Sequence, residues 1–92
     1  MKVIHKFKAG AVGHAFKLNL PIDAKVVHFG SQGSHLFLWA ELDTAAFKIG
    51  RDFTVVATGW EMDDDDRHLG TVVTPTGFVW HLYETTKEPI HA

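Results

Sequence analysis

The sequence predicts an all-β domain, an antiparallel sandwich or small barrel of about six to seven short strands. Three observations carry that expectation. Apolar residues recur with a period of two, as in Phe16, Leu18 and Leu20, rather than at helical spacing. Val, Phe, Thr and Trp dominate the apolar runs and are punctuated by glycine-rich turns. No window is long enough for a crossover helix, so a parallel βαβ arrangement is excluded.

The elements follow in order. Val3, His5 and Phe7 alternate with Lys2, Ile4, Lys6 and Lys8, which predicts a first strand with one largely wet face. After a loop at Gly10–Gly13, Phe16, Leu18 and Leu20 alternate with Lys17 and Asn19 as a half-buried second strand. Pro21 ends it, because proline cannot donate to a sheet ladder. Asp23–Ser31 is the third strand, with Val26 and His28 on one face and Val27 and Phe29 on the other. His35–Leu42 (HLFLWAEL) is the strongest apolar run and is expected to lie centrally, covered on both faces. Thr44–Phe47 has room for one short helical turn. Arg51–Thr58, Leu69–Thr74 and Phe78–Thr85 complete the set, the last two joined by Pro75-Thr76-Gly77. Proline presets φ early in that turn and glycine accepts a positive φ late in it.

Ninety-two residues support one domain, placed at residues 1–86, with 87–92 as a loose tail. A chain this size buries a little over roughly 60% of its unfolded surface. Its stability should be about 5–14 kcal/mol. At 46% hydrophobic and 22% charged it is apolar enough to fold. Seven Phe, three Trp and one Tyr are many for so thin a core, which predicts a homo-oligomer that buries some of them. The absence of cysteine closes disulfide, zinc-finger and thiol-redox readings. MKVIHKFKAG has the charge of a secretory leader without the apolar run that follows one. No segment approaches the length of a membrane span. A soluble, cytoplasmic protein with no membrane association is expected.

The net charge of −2 conceals an asymmetry: residues 1–25 carry five lysines against Asp23, whereas residues 26–92 carry four bases against ten acids. A nucleic-acid binder is expected to show a clustered basic face and a pI above the 6.3 of this chain, so no nucleic acid is expected as partner.

The stretch most suggestive of chemistry is GWEMDDDDRHLGT, Gly59–Thr71. A calcium or magnesium site needs several oxygens converging at about 2–2.6 Å, from alternate loop positions bent by a glycine. Asp63, Asp64, Asp65 and Asp66 have no interior glycine and no distal Glu, and adjacent carboxylates in an extended run diverge. A charged loop is expected, with Arg67 offsetting some repulsion. A partner-contacting acidic patch and a divalent-cation site are the alternatives. Trp60 is its candidate anchor, because an aromatic beside carboxylates can hold a protein partner or stack on a small ligand. Arg67 and His68 extend the candidate partner-binding set.

Seven histidines lack the helical i, i+4 spacing of zinc ligands and the H-E-x-x-H motif. Each is expected to be a satisfied or exposed imidazole, and His81, inside the apolar strand FVWHLY, a buried hydrogen-bonded one; as the functional candidate among them it forms, with Trp80, a candidate ligand pocket. Trp39 and Trp80 are expected in the core. Ser31 and Ser34 lack a G-x-S-x-G frame, and Gly30–Gly33 is not a Walker loop, so no catalytic residue, metal or cofactor is expected.

Several segments taken together resemble a family. MKVIHKF, LPIDAKVVHFGSQGSHLFLWAELD, VVATGW and HLGTVV…FVWHLYE are similar to small proteins of tailed bacteriophages and prophages, a family with no assigned activity, over about residues 1–84. The positions that carry the likeness are Leu20, Pro21, Leu38, Trp39, Ala40, Thr58, Gly59, Gly70, Thr71, Trp80 and His81; most read as fold residues. The resemblance implies an accessory protein of the host cytoplasm that acts by non-catalytic binding of a host factor, as a counter-defence or host-modulating inhibitor. An oligomer that sequesters a nucleotide signal and a metal-dependent enzyme are the alternatives.

Overall fold

Strict alternation along nearly every segment leaves each strand one face to bury, and two sheets meet over those faces. The computed structural model describes residues 1–85. It contains β1 (Lys2–Lys8), β2 (Phe16–Pro21), β3 (Lys25–Gln32), β4 (His35–Asp43), β5 (Lys48–Ala57), β6 (Asp66–Val73) and β7 (Val79–Thr85). One sheet has the order β1-β4-β3 and the other β2-β5-β7-β6, with every pairing antiparallel. Leu20, Phe53, Val55 and Leu82 of the larger sheet pack with Phe29, Leu38 and Leu42 of the smaller one to form the core. The expected tail at 87–92 lies outside the described residues.

The seams of the sandwich differ. Along one side β3 meets β6, where an ideal Cβ on Gly70 would sit 2.9 Å from the Phe29 Cβ. Glycine is what lets Phe29 close that seam. Arg51 fastens the same side: its Nη1 donates to the Ala24 carbonyl (2.6 Å), and its Nε and Nη2 donate to both Glu84 carboxylate oxygens (2.6 and 2.7 Å). Arg67 Nη2 donates to Glu84 Oε1 at 2.8 Å. Burial alone would raise the Glu84 pKa. The hydrogen bonds and charges of Arg51 and then Arg67 outweigh it, so the carboxyl is held below its ordinary value.

Several expectations change. Thr44–Phe47 is not helical: Asp43 accepts from the Ala45 N–H with its side chain (2.9 Å) and from the Ala46 N–H with its carbonyl (3.2 Å). These bonds make a tight turn between β4 and β5. In β3 a bulge at Val27 shifts the register, so Val26 pairs with Ala40 and Phe29 with Leu38, both turned inward. Strict alternation wrongly placed Val26 with His28. β4 is central in its sheet but covered on one face only: Leu38, Ala40 and Leu42 are buried, while Phe37 and Trp39 occupy the outer face. Trp39 is therefore not a core residue. β6 begins at Asp66 instead of Leu69, because Arg67 finds Glu84 directly across β7 and the ladder extends to reach it. No helix of the described residues is long and apolar enough to cross a membrane.

Candidate functional site at the aromatic end

β5 runs toward one end of the sandwich and stops in a tight turn, where the Trp60 N–H donates to the Ala57 carbonyl at 3.1 Å. Trp80 comes from β7, opposite both Ala57 and Val72, with its side chain directed between the sheets. Phe78 closes the β6–β7 hairpin. Its N–H donates to Thr74 Oγ1 (3.1 Å), and its carbonyl accepts from the Thr74 N–H (2.8 Å). Trp60 meets Trp80 edge-on with ring centroids 6.0 Å apart, and Phe78 stacks on Trp80, also at 6.0 Å. Trp60 is 49% exposed and Phe78 62%, so two large rings at this end face water around a half-buried third.

Between Phe78, Trp80 and the β3–β4 turn lies a cleft of about 390 Å³. Trp80, Phe78, Val12 and Leu36 give it an apolar lining, and Ser31, Ser34, Thr74 and Thr76 bring hydroxyls to it. Gly13 supports the seat of Trp60. It holds φ at +80°, and a Cβ built on it would lie 3.3 Å from Trp60 Cζ3.

The acidic stretch divides. Asp63, Asp64 and Asp65 stay in the exposed turn that follows Trp60, and the Asp66 N–H donates to the Asp63 carbonyl at 3.1 Å. Asp66, Arg67 and His68 belong to β6. Asp66 Oδ1 accepts from Thr85 Oγ1 at 3.3 Å, and Arg67 is committed to Glu84. Among the described residues no three His, Asp or Glu side chains converge as a metal site would require.

Trp80 and His81, expected to share a pocket, are adjacent on β7 and so point to opposite sides of the sheet. His81 lies on the outer face. Its Nε2 is 2.8 Å from Thr58 Oγ1, and its Nδ1 is 2.8 Å from Thr71 Oγ1, which is in turn 2.9 Å from His68 Nε2. Both ring nitrogens thus meet threonine hydroxyls, and among the described residues no carboxylate orients the ring as in a Ser–His–Asp triad. His68 also packs edge-on against Tyr83 at 5.2 Å. This chain of hydroxyls and imidazoles ties the turn after β5 to β6 and β7 on the wet side of the sheet.

The sequence named Trp60 and Trp80 separately but not their contact. Phe78 was missed, although its place two residues before Trp80 was a signal that could have found it, since strand alternation puts the two on one face. Val12 and Gly13 carried no such signal, because only the folded chain brings their loop beneath Trp60. No curated protein and no solved structure is significantly similar to this chain. The family described as "Domain of unknown function (DUF7352)" matches residues 1–92, and the chain belongs to that family.

Proposed function

We propose that this is a non-catalytic binding protein that engages a protein partner through the aromatic end. On the resemblance to phage proteins, that partner is a host factor. The observation that carries the proposal is the exposure of Trp60 and Phe78 around Trp80, with Phe78 and Trp80 themselves lining the cleft. Large rings left in water beside a concave apolar surface are the usual anchors of protein interfaces. The acidic turn at Asp63–Asp65 begins three residues after Trp60 and adds negative charge at the margin. The complementary partner carries an aliphatic or aromatic side chain that fills the cleft and a Lys or Arg beside it. Tagged protein should retain a host-lysate protein that is lost with Trp60→Ala and with Phe78→Ala and weakened with Asp63→Asn/Asp64→Asn. Retention that survives both aromatic substitutions would count against this end.

A second reading, capture of a small aromatic ligand such as a nucleobase, is favoured by the cleft itself. Its volume of about 390 Å³ falls in the ordinary range for ligand pockets, and its hydroxyls surround apolar walls. A thermal-shift screen of cyclic and linear nucleotides should then find a stabilising ligand whose effect disappears in Trp80→Leu.

A further inference from the structure

We propose that the outer face of the three-stranded sheet binds a single-stranded nucleic acid. This site lies on a different face from the aromatic end, meeting its cleft only at His35, and does not rest on the function proposed above.

Residues directly opposite in antiparallel strands share a face, which fixes the composition of this surface. Lys6 is opposite Trp39, Lys8 is opposite Phe37, and both Ile4 and Lys25 are opposite Glu41. His28 is also paired with Trp39. Down the middle, β4 places His35, Phe37 and Trp39 at alternate positions. Successive ring centroids are 6.5 and 6.1 Å apart, and His28 sits 5.2 Å from Trp39. Lys6 Nζ lies 4.6 Å from the Phe37 ring centroid and donates to Gln32 Oε1 across the sheet at 2.9 Å.

Charge chooses the occupant. Lys2, Lys6, Lys8 and Lys25 lie on this face against Glu41 and, at its rim, Asp43 and Asp23. The basic excess of residues 1–25 is therefore gathered largely onto one surface by β1 and the start of β3, although the whole chain is acidic. A second copy presenting the same face would set like charges together, so an anionic partner fits better. Evenly spaced rings beneath the cations distinguish an anionic strand with flat bases from an acidic peptide. Each base can stack on or between rings while lysines track the backbone, which is how strand-binding sheets work without a helix in a groove.

The test is fluorescence anisotropy of a labelled 12-nucleotide oligothymidylate titrated with the full chain across a range of KCl concentrations. Binding at low salt is expected, with log affinity falling against log salt at a slope of about −2, as for roughly three phosphate contacts. Lys8→Gln/Lys25→Gln should bring that slope toward zero by about 1.4. Phe37→Leu and Trp39→Leu, checked for native circular dichroism, should each weaken binding about tenfold while leaving the slope unchanged. Trp60→Ala should bind as wild type. The proposal is overturned by no binding at low salt, or by an unchanged slope in the lysine variant. It is also overturned if oligoglutamate of equal charge competes as well as the oligonucleotide, which would make the face a site for acidic proteins. Full affinity in both folded aromatic variants would reduce it to a charge patch and overturn it as well.

Discussion

Glu84 is the buried carboxylate among the described residues, and its position shows how one residue can tie two sheets together. Through Arg51 it reaches the Ala24 carbonyl just before β3, and through Arg67 it holds the start of β6. Removing the carboxylate leaves Arg51 buried against an uncharged neighbour, so Glu84→Gln should destabilise by about 3 kcal/mol in urea denaturation at pH 7. The folded pKa is lowered, so this contribution is complete above the ordinary carboxylate value. It is lost as pH falls from that value through the lower folded one. The gap between wild type and Glu84→Gln should therefore narrow steadily below about pH 4. An equal gap at pH 7 and pH 3 would mean that the charge does not matter. Gly13 poses a simpler test. An alanine there meets both a positive φ and the Trp60 ring, so Gly13→Ala should cost about 1 kcal/mol and lower the melting temperature. An unchanged melt would show that the loop yields.

Strands were legible because alternation is local; their neighbours were not. The turn at Pro75–Gly77 and the end of β2 at Pro21 follow from single residues, and both are in place. What escaped the sequence depends on pairing across space. The bulge at Val27 exists because Phe29 must turn inward onto Gly70, and β6 gains Asp66–His68 because Glu84 waits on β7. Trp39 looked like a core residue because HLFLWAEL is apolar at both parities, yet with two layers only one parity can be buried. For the site, the importance of Trp60 was visible, while its contact with Trp80 required knowing that β5 and β7 are neighbours. The seam between β3 and β6 gives a prediction at this scale. In Gly70→Ala the new methyl would press on the Phe29 Cβ, with a cost of about 1–3 kcal/mol. Hydrogen exchange should quicken first in β3 and β6, leaving β5 and β7 protected. Uniform quickening across both sheets would show that the seam is not a separable unit.

At the scale of the whole molecule the sandwich is a slab, 39 × 37 × 17 Å. Its radius of gyration of 13.6 Å exceeds the roughly 12 Å of a rounder chain of this length. Flatness leaves much surface per residue, and the two edge strands opposite the β3–β6 seam, β1 and β2, are the obvious places for copies to pair. Both are guarded. β1 carries Lys2, Lys6 and Lys8, and β2 carries Lys17 and closes on Pro21, features that discourage edge-to-edge addition. The broad outer face of the smaller sheet repels its own copy by charge. The end away from the aromatic cluster differs. There Phe47 is 67% exposed, Ile22 49% and Ile49 37%, and the Ile22 N–H donates to the Phe47 carbonyl at 2.9 Å. We therefore expect self-association to run through this end, as a two-fold pairing of Phe47 and its neighbours. Light scattering should give a mass rising with concentration from the 10.3 kDa protomer toward twice that value. Phe47→Ser should hold it at the protomer mass, and Lys6→Thr should leave the association intact. A mass fixed at the protomer value at every concentration would rule out self-association. A dimer that survives Phe47→Ser but strengthens in Lys6→Thr would move the contact to the β1 edge.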